Sequence, residues 1–125
     1  MGLMDKFDNK VIIPLVILIG IGLFVMYWRT VKEDVVGDYD VRAGNYRLED
    51  GLLDQAEELF KKALTKNPDH IDAHLSLAIT YMQSGRNEEA LSEFNRTIEL
   101  KADHAAAYAD RGILYDRMGE YENVD

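Results

Sequence analysis

Residues 73–90, AHLSLAITYMQSGRNEEA, set the organisation of the whole chain, because the small, aromatic and turn residues in and around this stretch recur thirty-four residues away on one side or the other. Ala56, Phe60 and Ala63 return as Ala90, Phe94 and Thr97. Gly44, Ala78 and Gly112 form one register, and Gly51, Gly85 and Gly119 a second. Tyr81 recurs as Tyr115, Ala73 as Ala107, and Asp69-His70 as Asp103-His104. A fixed period of this length, carried together by small, aromatic and turn residues, is the mark of stacked helical hairpins.

The pattern resembles the tetratricopeptide repeat: a helix A with a Leu-Ala or Leu-Gly pair and a Tyr, a turn glycine, a helix B with Ala, Phe and Ala, and a closing Pro. The middle unit, 71–104, supplies Leu77-Ala78, Tyr81, Gly85, Ala90 and Phe94, with Thr97 in the last Ala slot and Ala102 where Pro would stand. The unit before it, 37–70, keeps Gly44, Gly51, Ala56, Phe60, Ala63 and Pro68 but has Ala43 and Arg47 at the Leu and Tyr positions. A third, partial unit, 105–125, carries Gly112, Tyr115 and Gly119. The resemblance implies an all-α fold, in which a short right-handed superhelix of antiparallel helix pairs spans residues 37–125.

The chain has 125 residues, 14 basic and 23 acidic, for a formal charge of -9 and no cysteine. Disulfide staples and thiolate metal sites are thereby excluded. Up to Trp28, Lys6 and Lys10 balance Asp5 and Asp8, so the acidity belongs to the repeats. An acidic surface is a poor match for a phosphate backbone, which removes nucleic acid as a partner.

Ahead of the repeats, VIIPLVILIGIGLFVMYW, residues 11–28, contains no charge. At ~1.5 Å per residue it makes a helix roughly 27 Å long, enough to cross a hydrocarbon core with help from interfacial residues. Tyr27, Trp28 and Arg29 supply that help at one end, Phe7 and Lys10 at the other. Residues 11–28 therefore read as a transmembrane helix after an N-terminal tail, 1–10. The rival reading, a cleaved signal, is disfavoured because the run is longer than such regions usually are and MYWRTVKED offers no small-residue cleavage site. Pro14 is expected in the first turn, where its missing N–H breaks no bond. Gly20 and Gly22 lack the four-residue spacing of a strong helix-dimer motif. Residues 29–36 read as a polar linker stopped by Gly37. Lys6, Lys10 and the amino terminus against Arg29 and Lys32 lean toward a cytoplasmic N-terminus, with the repeats periplasmic or lumenal.

Within the repeats, Ala56, Leu59, Phe60, Ala63 and Leu64 form the stripe of a helix with one buried face, ended by Asn67-Pro68. In the next helix His74, Leu77, Ala78 and Tyr81 share one face, expected to pack on helices B, with Ala78 and Gly112 permitting close approach. Leu75, Ile79 and Met82 share another.

Little of this converges on catalysis. His70 and His104 hold one repeat slot, as structural residues do, and His70 with His74 has a metal-pair spacing without a completed ligand set. Ser76, Ser84 and Ser92 lack a nucleophile elbow. Glu57-Glu58 and Glu88-Glu89 fit the dipole of a helix start, and no phosphate-binding glycine loop is present. The sequence thus predicts a non-enzyme without catalytic, cofactor or metal residues.

In the resembled family a groove is lined by the inner faces of helices A. Mapped here, that face comprises Val41, Asn45 and Leu48, then Leu75, Ile79 and Met82, then Ala109, Ile113 and Arg117. It is mostly apolar, a surface that calls for a partner, and Met adapts to varied shapes. One subclass of the family grips a terminal carboxylate. Only Asn45 of that set is present, with Val41, Ser76, Ala106 and Asp110 at the other clamp positions. The expected ligand is instead an apolar helix or extended segment of a membrane-associated protein. Together these features imply a membrane-tethered adaptor that helps assemble or stabilise a membrane protein complex. The alternatives are a permanent small subunit of a respiratory, photosynthetic or secretion complex and a receptor for targeting peptides. Gly119-Glu120-Tyr121-Glu122 reads as the entry to another helix B, which predicts that the natural chain continues past Asp125.

Overall fold

In the computed structural model residues 8–122 are described, and they contain six helices and no strand. The expected tail residues Lys6 and Phe7 lie outside that range, as do residues 123–125. The chain divides into two units, one up to Val35 and one from Val36 on.

The first unit is α1, Asn9–Val35. Its window Asn9–Thr30 has a mean hydropathy of 2.6 over 22 residues, with none of it buried. This single helix is long and apolar enough to cross a membrane. Phe24 and Trp28, one turn apart, stack with ring centroids 6.1 Å apart. Thr30 turns its hydroxyl back onto the carbonyls of Met26 and Tyr27 instead of into solvent.

Two local expectations are corrected in α1. Asp8 caps the helix, its carboxylate accepting from the backbone of Lys10 and its carbonyl from Val11. The helix therefore begins well before Pro14, which lies inside it and not in its first turn. At the other end residues 29–35 continue the helix, so the expected linker is not a separate coil. No glycine or proline interrupts the chain between Gly22 and Gly37.

The second unit begins at Gly37, whose φ of 100° turns the chain into α2, Asp38–Glu49. A side chain there would be strained by that angle and would also meet the Ala63 carbonyl oxygen at 3.2 Å. The helices α3 (Leu53–Lys66), α4 (Ile71–Gln83), α5 (Asn87–Leu100) and α6 (Ala105–Glu122) follow. Helices α2 and α3 pair as one hairpin, α4 and α5 as the next, and α6 packs on α5. The turns inside the two hairpins depend on Gly51 and Gly85, both left-handed.

The core follows the repeat register. Phe60 and Phe94 are fully buried, surrounded by Ala56, Ala63, Ala73, Leu77, Ala78, Tyr81 and Ala90. Each phenyl contributes on the order of 2–3 kcal/mol from burial. Phe60 reaches its place because Gly44 leaves room for it: a Cβ there would lie 2.5 Å from the ring. Of the two small residues expected to admit a helix B, Ala78 is fully buried, whereas Gly112 has nothing within 4 Å. No described helix covers that side of α6. The third turn expected at Gly119 is also absent, since α6 runs straight through it to Glu122. Glycine permits a left-handed turn but does not impose one.

Candidate functional site

The A helices α2, α4 and α6 are neighbours in that order. Between α2 and α4 lies an open cleft of about 410 Å³, lined by Val41, Asn45, Leu75 and Ser76, with Asp38, His70, Arg42 and Asp72 around them. It has apolar walls from Val41 and Leu75 and two neutral polar groups, Asn45 and Ser76. Ser76 is buried at the floor of this lining.

Of the nine groove residues mapped from the sequence, Val41, Asn45 and Leu75 line this cleft. Leu48, Ile79 and Met82 are half-buried and pack against the core. Ala109, Ile113 and Arg117 are exposed on α6 and do not line the cleft. The cleft also draws on Ser76, Arg42 and Asp72, which the sequence mapping left out. Their signal was available: each is adjacent in sequence to a mapped residue or one helical turn from it.

The histidines are structural partners here. The His70 Nδ1 accepts from the Ala73 amide at 3.3 Å, capping α4, so its proton sits on Nε2, 2.8 Å from the Asp38 carboxylate. His104 caps α6 in the same way through Ala107, as their shared repeat slot implies. His74 places Nε2 2.8 Å from the Pro68 carbonyl and Nδ1 2.6 Å from Glu93. Its burial disfavours charge, but the bonds to Glu93 and to that carbonyl outweigh it and hold the pKa above the ordinary value. Among the described residues no group of three or more His, Asp or Glu side chains is placed to hold a metal.

Charge pairs staple the hairpins together. Glu57 was read as a dipole residue at a helix start. It lies instead in the fifth position of α3, bonded to Lys61 and to Arg86 at 2.8 Å across the hairpins. Arg86 also grips Glu89 and stacks 4.4 Å over the Tyr81 ring. Lys61 foremost, then Arg86, hold the Glu57 carboxyl below its usual range. Glu88 and Glu89 do stand in the first turn of α5. At the other end of the array Asp40 is buried against Lys66 and Lys62, which lower its pKa despite its burial. Arg96 joins Asp69 to Glu99.

Residues 47–122 match the family described as Tetratricopeptide repeat. Over 82 residues the chain is 34% identical to DnaJ homolog subfamily C member 3 of Rattus norvegicus, covering 66% of this chain and 16% of that protein. Over 71 residues it is 28% identical to Anaphase-promoting complex subunit 3 of Schizosaccharomyces pombe, covering 57% of this chain and 11% of that one. The chain thus spans a small part of these relatives. Among solved structures, the second TPR of Spaghetti (RPAP3), bound to HSP90 peptide SRMEEVD, superposes with a TM-score of 0.65 at 20% identity, covering 69% of this chain and 80% of that one. The crystal structure of MamA superposes at 0.64 with 26% identity, covering 77% and 57%.

Proposed function

We propose that this chain, which belongs to the tetratricopeptide repeat family, is a membrane-tethered adaptor that binds a segment of another protein and supports the assembly or stability of a membrane protein complex. Repeats of this family are protein-interaction scaffolds, and no catalytic role is assigned. The observation that carries the proposal is the α2–α4 cleft: apolar Val41 and Leu75 beside the neutral polar side chains of Asn45 and Ser76 suit an extended or helical polypeptide. The solved RPAP3 domain holds an acidic peptide. Here Asp38 and Asp72 flank the cleft with Arg42 as the one basic residue lining it. A peptide ending in acidic side chains and a free carboxylate therefore fits poorly, and an apolar segment fits better. Tethering is assigned to α1, with the N-terminus cytoplasmic and the repeats on the far side of the membrane. Residues 11–28 serve as the span and 37–125 as the binding domain.

The test is a crosslinking pull-down from native membranes with the full chain and with Leu75→Asp or Ser76→Arg. Either substitution should abolish capture of the partner while the circular dichroism stays that of the parent. Equal capture by all three chains would move the contact to α1. Stoichiometric co-purification in mild detergent would instead favour a permanent subunit.

A further inference from the structure

The outward face of α2 departs from the repeat register in one direction. Positions 39, 43 and 46 of α2 correspond to Ala73, Leu77 and Thr80 of α4 and to Ala107, Arg111 and Leu114 of α6. In α4 all three are buried, and in α6 Ala107 and Leu114 are. This is the side on which α4 meets α3 and α6 meets α5. In α2 the same side carries Tyr39, Ala43 and Tyr46, and among the described residues both rings are left open: Tyr39 is 73% and Tyr46 69% exposed. These values match or exceed the 67% of Met26, the most exposed of the large apolar side chains on α1. The two rings border a shallow depression of about 360 Å³ floored by Ala43, with Arg42 at its edge.

Another helix B is a poor occupant for this face. Where a helix packs against the corresponding side of α4 or α6, the leading residue is alanine, and Tyr39 in its place would hold a neighbouring helix off. A soft, amphipathic surface suits them better. Tyrosine presents an apolar body and a hydroxyl, and arginine an extended stem and a cation that pairs with phosphate. Both are favoured at the level of lipid headgroups. The stripe also begins only four positions after α1 ends at Val35, at the end of the array where the apolar helix joins.

We propose that the Tyr39–Ala43–Tyr46 face of α2, with Arg42, rests in the headgroup zone of the bilayer that α1 spans. The inference rests on the membrane-spanning role of α1. The tyrosine rings and the Arg42–phosphate contact hold the otherwise acidic repeats against the interface, which fixes the direction in which the α2–α4 cleft opens.

Trp28 is the only tryptophan, so its emission reports on α1 alone. The full chain is reconstituted in nanodiscs of phosphatidylcholine brominated near the headgroup end of its acyl chains. Three chains are compared: the parent, Trp28→Phe/Tyr46→Trp, and Trp28→Phe/Tyr115→Trp, the last placing the probe on exposed α6. Residues 46 and 115 are both exposed, so neither change threatens the fold. Bromine should lower emission about twofold from Trp28 and from the probe at 46, as for aromatic side chains at the interface, and leave the probe at 115 unaltered. Quenching of Trp28 without quenching at 46 overturns the α2 contact and leaves the anchor standing. Equal quenching at 46 and 115 overturns the assigned face. A blue-shifted but unquenched probe at 46 assigns the face to protein and overturns the lipid. Loss of quenching at Trp28 itself removes the anchor, and the inference with it.

Discussion

Gly44 and Gly112 hold one repeat position and predict opposite responses to the same substitution. In Gly44→Ala the new methyl meets three atoms of the Phe60 ring at 2.5, 2.9 and 2.9 Å. Phe60 is fully buried, so the ring has no free space to take up. Overpacking by contacts this short against a ring that cannot move costs ~2–3 kcal/mol, the upper part of the usual range. The gain in helix propensity returns about 1 kcal/mol, so the net loss is on the order of 1–2 kcal/mol. In Gly112→Ala nothing stands within 4 Å, and only the propensity gain remains. Thermal unfolding of the full chain in mild detergent, followed at 222 nm, reads the two. At about 4–8 °C per kcal/mol for a domain of this size, Gly44→Ala should melt ~5–15 °C lower and Gly112→Ala ~4–8 °C higher. The double variant Gly44→Ala/Phe60→Leu should regain part of the clash term, although it gives up aromatic burial. The reasoning fails if both single substitutions shift the midpoint in the same direction. It also fails if Gly44→Ala is as stable as the parent.

Three further outcomes follow from the charge pairs. His74 has a folded pKa above 6.5, so its contribution is complete below that pH and is lost as pH rises through the folded value. The unfolding midpoint should fall across that window, and His74→Gln should flatten the slope; an unchanged slope refutes the assignment. Asp40 behaves in the opposite sense: its pKa lies below 3.8, so its contribution is present above that value and fades as the folded carboxylate is protonated. Replacing both Lys62 and Lys66 by Met strands a buried carboxylate and should cost ~3 kcal/mol. Asp40→Asn leaves only two half-exposed cations and should cost about 1 kcal/mol or less, and denaturation curves showing the reverse order would refute the account. Arg86→Ala removes an exposed side chain from Glu57, Glu89 and the Tyr81 ring. It should lower the unfolding midpoint only slightly, and high salt should shrink the difference from the parent.

Most of the second unit was legible because its signals repeat. A phenylalanine at 60 and 94 facing a small residue at 44 and 78 states both the helix type and the packing partner. Histidine at 70 and 104 marks a cap twice over. What stayed hidden lacks a period or depends on distance in space. The start of α1 rests on one carboxylate, Asp8, competing with a proline that looked like a first-turn residue. Its extension through residues 29–35 was not singled out because those residues read only as a polar linker up to Gly37, although charge does not oppose helix formation. Glu57 resembled a dipole residue because its partner Arg86 lies twenty-nine positions away. The cleft was half legible: the mapped face supplied Val41, Asn45 and Leu75, but which members of a face stay open depends on how α2 and α4 meet.

A period that assigns packing roles also shows where a residue refuses its role. At one position the three A helices agree in size: Gly44, Ala78 and Gly112 are all small, and the difference in their surroundings follows whether a described helix B packs there. Positions 39 and 46 are different in kind. There the A helix that lacks a preceding helix B has gained two large aromatic rings, not the polar residues that would cap an exposed end. A capping surface selected only for solubility would not place its most exposed apolar side chains on one stripe of α2, starting four positions after α1 ends at Val35. The two observations are coupled through the chain: Tyr39 follows Val35 by four residues, so the proposed interfacial stripe is the first part of the repeats that the apolar helix leads into along the sequence.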